Sequence, residues 1–215
     1  MPVIHGVSPS PFVRKVRIFM AEKGLPYELE LVMPGNVPES FKKISPLKKV
    51  PVYQDGEFFL PDSSVICAYL ERAHPTPALY PAQARALGRA LWFEEYADTK
   101  IVDVLTPIFS QRFIQRVLFK QASDEAIVEQ QMTTLVPPVF DYLESEVPEA
   151  GWMAGDEFSI ADVALGSTFV QLRHGGEAID DERWPLLAAY AARVLARESI
   201  ATLVAEEEAA FPKTA

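Results

Sequence analysis

The chain has 215 residues, 49% of them apolar and 23% charged, with a net charge of -10. This balance is typical of a globular protein. The acidic surplus argues against nucleic acid as a partner, because phosphates require clustered Lys and Arg. No segment approaches the ~20 apolar residues of a membrane helix, and the first residues lack a signal-peptide pattern. We therefore expect a cytoplasmic protein without a membrane partner.

Cysteine and histidine usage limits the possible chemistry. Cys67 is the single cysteine, which excludes an intrachain disulfide and a cysteine metal cluster. The histidines at 5, 74 and 174 have no metal-ligand spacing, so no metal site is expected. Residues 1–78 hold 9 basic and 8 acidic residues, whereas residues 79–215 hold 11 and 22. The first part is therefore the one suited to an anionic ligand.

The first 73 residues predict a β-α-β-α-β-β-α order. A short apolar run over 2–6 precedes a helical pattern that starts at Phe12 and ends at Gly24. Alternation over 27–32 predicts a strand, and 38–45 a short helix. Asp55-Gly56 joins two strands as a hairpin, and a third helix follows Pro61. The order indicates a small α/β domain.

The remainder of the chain predicts helices alone. Three prolines within 74–81 indicate a semi-rigid linker. Helical patterns follow at 82–118, 124–146, 159–174, 185–196 and 199–208, with Pro107 expected to kink or split the first. We predict an α/β domain over 1–78, a linker over 79–85 and an all-α helical domain over 86–215.

Ser10 begins the most informative segment, Ser-Pro-Phe-Val-Arg-Lys-Val-Arg. Serine at the N-cap with proline at N1 predicts a helix start, which by itself is a structural device. Its place directly after the first strand also indicates a binding site, because the free amides and the positive dipole end of the helix favour anions there. A thiol bound at this end has its thiolate stabilised.

This segment resembles the start of a serine-type cytosolic glutathione S-transferase, similar to the tau, zeta and theta classes. The resemblance continues at Ser45-Pro-Leu-Lys-Lys-Val-Pro-Val, at Asp62-Ser-Ser-Val-Ile and at Gly155-Asp-Glu-Phe-Ser-Ile-Ala-Asp. It implies a thioredoxin-like N-terminal domain, a helical C-terminal domain and a detoxification enzyme. It also implies a homodimer, glutathione as co-substrate and no other cofactor.

The resemblance assigns a role to each residue of the glutathione site. Ser10 is the catalytic residue whose hydroxyl stabilises the thiolate. Pro51 is expected to be cis, which leaves the backbone of Val50 to pair with the cysteinyl part of glutathione. Asp62 and Ser63 hold the γ-glutamyl end, and Lys49 faces the carboxylates. Asp62 and Ser63 also fit a plain helix cap, and Lys49 fits a solvent-facing residue.

A hydrophobic electrophile would be the second substrate, and its pocket is less defined by the sequence. Relatives line it with the first loop and with helices of the second domain, which here provide Pro9, Phe12, Tyr96, Phe109, Phe113 and Val170. An apolar stripe at helical spacing is equally typical of a core. Ser159 and Asp162 predict a capping box that supports folding, and Cys67 a small buried apolar residue.

Three functions remain open at this point. The first is conjugation of glutathione to an electrophile. The second is glutathione-dependent disulfide reduction, isomerisation or peroxide reduction, in which relatives often carry cysteine where this chain has Ser10. The third is a non-catalytic regulatory protein on the same fold.

Overall fold

The computed structural model describes residues 1–34 and 37–211. The chain divides into two compact units, Met1–Tyr80 and Pro81–Ala215. The first holds β1 (Val3–Gly6), α1 (Pro11–Glu22), β2 (Glu28–Leu31), α2 (Glu39–Ile44), β3 (Val52–Asp55), β4 (Phe58–Pro61) and α3 (Ser63–Ala73). The predicted β-α-β-α-β-β-α order is confirmed, and with it the thioredoxin-like domain.

The sheet of the first unit has the order β2-β1-β3-β4. β1 pairs in parallel with β2 and antiparallel with β3, and β3 pairs antiparallel with β4. Residues alternate between the two faces of β1, as they do in any strand. Ile4 is fully buried, whereas the ring of His5 points the other way and lies 6.2 Å from the Phe41 ring of α2. The unit is therefore an α/β layer structure with helices on both faces.

The second unit is helical throughout its described part. It holds α4 (Ala84–Tyr96), α5 (Val102–Phe109), α6 (Glu125–Gln130), α7 (Val136–Glu146), α8 (Ile160–His174), α9 (Pro185–Leu195) and α10 (Glu198–Ala210). π-helical segments at Ala97–Ile101 and Gln131–Leu135 join neighbouring helices without a break, and a third at Ser110–Leu118 extends α5. The prediction of a helical domain is confirmed; its residues 212–215 lie outside the described part.

Pro107 lies inside α5, between two of the π-helical segments. Proline has no amide donor and its ring crowds the carbonyl four residues earlier, so the helix must adjust near it. The adjustment here is a wider turn on either side, and the helix from 84 to 118 is not split. The expected disturbance therefore takes the form of π turns.

The centre of the helical unit is α8, in which only Arg173 is exposed. A Cβ added at Gly166 would lie 2.8 Å from Ile200 Cδ1 and 2.8 Å from Val194 Cγ1. The close approach of α9 and α10 therefore depends on this glycine. Such all-round burial is typical of a helix at the middle of a bundle.

Candidate functional site

Ser10 is the N-cap of α1, as predicted, and it is half-buried. Its Oγ accepts a hydrogen bond from the Val13 amide at a long 3.5 Å, and Pro11 occupies the first helical turn. Because the oxygen accepts in this bond, its own proton is not used by it. Within the described residues this hydroxyl has no acceptor. It is therefore able to donate to a ligand at the positive end of α1.

The register of the sheet brings the predicted site residues to one edge. His5 pairs with Val52 and Val52 pairs with Pro61, so the end of β1, the start of β3 and the end of β4 coincide. Ser10 follows β1, and Val50 precedes β3 by two residues. Asp62 and Ser63 directly follow β4 at the start of α3. Two helix N-termini and the Val50 backbone thus meet at the same edge.

Gly6 determines how closely these parts approach. A Cβ added there would lie 2.5 Å from Val13 Cγ2 and 3.4 Å from Val50 Cβ. The first distance is shorter than any non-bonded carbon contact, and Val13 is a short, stiff side chain. The first turn of α1 therefore packs against β1 and Val50 only because residue 6 has no side chain.

The Val50–Pro51 bond is cis, as the resemblance implied. Val50 itself is buried, whereas Lys48 and Lys49 are exposed. Ser45 Oγ donates to the Lys49 carbonyl at 2.7 Å and accepts from the Lys49 amide at 3.2 Å. This pair of bonds orders the loop before Val50 and leaves the Lys49 ammonium in solvent.

Asp62 caps α3 with a backbone φ of 80°. A non-glycine residue at this angle costs about 1–3 kcal/mol and is held only where the surroundings require it. Its Oδ1 accepts from the Ser64 amide at 3.0 Å and from the Val65 amide at 3.2 Å. The cap is therefore real, and it uses one carboxylate oxygen, which leaves Oδ2 for a ligand amine. Ser63 is buried beside it.

Basic residues of α1 are buried, which the sequence pattern did not predict. Arg14 and Lys15 are 0% and 1% exposed. Arg14 Nη2 donates to the Pro9 carbonyl at 3.1 Å, and Lys15 Nζ donates to Ser64 Oγ at 2.8 Å. The first bond ties down the loop that carries Ser10, and the second joins α1 to the start of α3. Nothing in the helical pattern separated these cations from solvated ones.

Arg17 adds to the same loop. Its Nε donates to the Tyr27 hydroxyl at 2.7 Å, and its Nη1 donates to Ser8 Oγ. Tyr27 directly precedes β2, so Arg17 connects the loop after β1 to the start of the next strand. Two arginines of α1 therefore hold the segment 8–10 in place.

The predicted pocket residues fall into separate groups. In the first unit Pro9 is buried and Phe12 half-buried. In the second unit Phe109 and Phe113 are buried and stacked at 4.8 Å, and Phe113 also contacts His174 at 5.2 Å. Tyr96 belongs to another cluster, with Tyr142 at 5.0 Å and Trp92 at 5.8 Å. Val170 is fully buried. The electrophile pocket stays a prediction.

Two tyrosines have pKa values raised by their surroundings. Burial, with Asp55 and Tyr69 adding to it, raises the pKa of Tyr53 to about 12. Burial also raises the pKa of Tyr96, and Tyr142 adds to the effect. Neither phenol is a base at neutral pH.

Residues 1–34 and 37–211 contain no group of three or more metal-ligating side chains. None of the helices described is both long and apolar enough to cross a bilayer. Cys67 is buried, as expected of a small apolar residue.

The comparisons with known proteins fit this arrangement. The glutathione S-transferase N-terminal domain model matches residues 4–78, and the C-terminal domain model matches residues 125–193. Glutathione S-transferase DHAR3, chloroplastic, of Arabidopsis thaliana is 31% identical over 92% of this chain and 70% of its own length. The chain belongs to the glutathione S-transferase family.

Other matches to this chain show the breadth of the family. A Methylobacterium radiotolerans glutathione S-transferase, solved in complex with glutathione sulfonate, is 30% identical. It covers 94% of each chain with a TM-score of 0.75. A stringent starvation protein A homologue of Haemophilus ducreyi is 24% identical over 87% of this chain and 82% of its own length. The predicted family is confirmed. The matching relatives are named both as glutathione S-transferases and as stringent starvation protein A homologues.

Proposed function

We propose that this chain is a glutathione transferase in which Ser10 stabilises the thiolate of glutathione for attack on a hydrophobic electrophile. One observation supports it above the others: the start of α1, the Val50 backbone and the start of α3 share one edge of the sheet. Glutathione offers its thiol to the start of α1, its cysteinyl backbone to Val50 and its γ-glutamyl carboxylate to the start of α3. We also propose that the enzyme acts as a cytoplasmic homodimer.

The proposed arrangement places each part of glutathione. The Ser63 amide and hydroxyl bind the α-carboxylate of the γ-glutamyl end, where the dipole of α3 favours negative charge. Asp62 accepts from its amine through the carboxylate oxygen that the cap leaves unused. The Val50 backbone pairs with the cysteinyl part, as an added strand does, and Lys49 attracts the glycyl carboxylate.

The chemistry then needs a stabilised anion and orientation. A free thiol with a pKa of about 8.5 is only a few per cent ionised at neutral pH. The Ser10 proton and the positive end of α1 lower the thiol pKa by favouring the thiolate. The thiol proton passes to solvent, the sulfur forms a bond to the electrophilic carbon, and the leaving group departs with its electron pair.

Ser10→Ala tests the proposal with glutathione and a model aryl halide. We expect roughly 10²-fold slower conjugation at saturating glutathione, because one hydrogen bond to the developing anion is lost. Glutathione affinity, measured by calorimetry, should change little, since the other contacts remain. Ser10→Thr is the matched control and should retain most of the activity. Unchanged conjugation in Ser10→Ala would remove the role of Ser10.

A regulatory protein is the second candidate. It is favoured by relatives named stringent starvation protein A homologues. The matches to this chain cover 82% of the length of these relatives. The two candidates differ in whether the site binds glutathione. If the wild-type chain gave no heat with glutathione and no rise in melting temperature, the regulatory function would replace the enzymatic one. A disulfide substrate assayed beside the aryl halide tests glutathione-dependent reduction in the same experiment.

A further inference from the structure

The strand β2 lies at the edge of the sheet, next to β1 alone. All four of its residues are exposed. Leu31 is 72% exposed and Leu29 38%, and Met33, two residues beyond the strand end, is 45% exposed. Single exposed apolar residues are ordinary, but three at alternate positions on a sheet edge are not.

Pairing with β1 uses the backbone groups of only every second residue of β2. The amides of Glu28 and Val32 donate to the carbonyls of Pro2 and Gly6, which flank or end β1. Even-numbered residues therefore direct their amides and carbonyls to β1, and odd-numbered residues direct theirs away from the sheet. For Leu29 and Leu31, no partner of the outward groups lies in the described residues. The edge thus presents backbone donors and acceptors to solvent.

The side chains of the strand are equally divided. Glu28 and Glu30 lie on one face, where Glu30 is 63% exposed and its Oε2 is 3.5 Å from His5 Nδ1. Leu29 and Leu31 lie on the other face. A strand added at this edge would place its own alternate side chains beside each set. The complementary strand has basic residues on one face and apolar residues on the other.

We propose that the outer edge of β2 binds an extended peptide in which apolar residues alternate with lysine or arginine. The peptide adds to the sheet as a fifth strand, through main-chain hydrogen bonds to Leu29 and Leu31. Its basic side chains pair with Glu28 and Glu30, and its apolar side chains cover the two leucines. This surface is independent of the glutathione site.

The same charges argue against a second copy of the chain as the occupant. Antiparallel pairing of two β2 strands sets glutamate beside glutamate in one register, which is destabilising. The register shifted by one residue sets Leu29 or Leu31 opposite a residue whose amide and carbonyl already bond β1, so no main-chain ladder forms. The glutamates therefore protect the edge from self-association and select a basic partner.

The test uses the full-length protein and an acetylated peptide of alternating isoleucine and lysine, about eight residues long, to span the strand. Backbone NMR of the labelled protein should show saturable shifts confined to residues 28–33, with slower amide exchange at Leu29 and Leu31. A peptide of the same length and charge, with two isoleucines replaced by proline, is the control for charge, because the helical unit is acidic. It should bind at least tenfold more weakly.

Leu31→Pro removes one outward amide and leaves the ladder to β1 intact, since the Leu31 amide faces solvent. It should weaken binding of the isoleucine–lysine peptide about tenfold without changing the cooperativity of unfolding. Glu28→Lys should weaken it several-fold and reduce its salt dependence. If Leu31→Pro does not fold, the isoleucine–lysine peptide N-methylated along one edge replaces it and should not bind. Equal affinity for the proline-containing peptide, or shifts outside residues 28–33, would overturn the proposal.

Discussion

Two serine-capped helices of this protein use similar residues for different purposes. At α8 in the helical unit, Ser159 and Asp162 are almost completely buried. The Asp162 carboxylate accepts from the Met153 amide, the Ser159 amide, the Ser159 hydroxyl and the Tyr190 hydroxyl, at 2.5–3.0 Å. At α1 in the first unit, Ser10 is half-buried and its side chain makes one long bond to the helix. A saturated cap stabilises the fold, whereas an open one can bind a ligand.

Asp162→Ala removes the saturated (closed) cap of α8 and should have the largest effect on stability. It leaves four donors without an acceptor, and each buried unsatisfied group costs about 1–3 kcal/mol. Even with partial rearrangement, we expect a loss of at least about 3 kcal/mol in the free energy of unfolding. Chemical denaturation at neutral pH measures it. The control is Asp124→Ala at the exposed cap of α6, where only the Ala126 amide is bonded and about 1 kcal/mol is expected. Equal losses in the two variants would contradict the contrast.

Tyr190→Phe tests the same cap through the pH dependence of stability. Burial raises the pKa of Asp162 above its ordinary 3.8, and the bond from Tyr190 opposes that rise. A raised native pKa means that stability from the protonated carboxyl is fully present below pH 3.8 and is lost as pH rises through the native pKa. Without Tyr190 the native pKa rises further, so more stability is lost at neutral pH. We expect a cost of about 2 kcal/mol at pH 7 and a smaller one near pH 4. A cost independent of pH would show that Tyr190 acts through packing alone.

Gly6→Ala tests whether the close packing at residue 6 positions Ser10, the open cap of α1. The added methyl group overlaps Val13, so the first turn of α1 must move, at a cost of about 1–3 kcal/mol. Glutathione affinity should fall with it, because Ser10 and Val50 separate. Gly88→Ala is the matched control, since nothing beyond its chain neighbours and the backbone of its own helix turn lies within 4 Å of the added Cβ. It should stabilise α4 by about 0.5–1 kcal/mol. Glutathione affinity unchanged in Gly6→Ala would show that residue 6 does not position the site.

Ser10→Ala should have the smallest effect on stability. The bond to the Val13 amide is long, so we expect a loss below about 1 kcal/mol, at the low end for an N-cap. Thermal unfolding of the same protein used in the activity assay measures it. A loss as large as that of Asp162→Ala would mean that Ser10 belongs to the fold, and the contrast between the two caps would fail.

Local patterns were enough to predict most of the fold. The Ser10-Pro11 start of α1, the Asp55-Gly56 hairpin and the Ser159–Asp162 capping box depend on neighbours within a few residues, and the structure confirms each. The burial of Arg14 and Lys15 was not predictable in this way. A cation on the polar side of a helix has the same local pattern whether it faces solvent or a carbonyl of another segment.

The order of elements was determined by the sequence alone, because caps, turns and periodicity act over a few residues. The family and the residues proposed for the site also came from the sequence, through the resemblance of its motifs to those of glutathione S-transferases. The tertiary structure decided which caps are closed and which are open. Asp162 reaches Tyr190 across 28 residues, and Gly6 admits Val13 and Val50 from separate elements. Such contacts exist only after the chain has folded, so no local pattern encodes them.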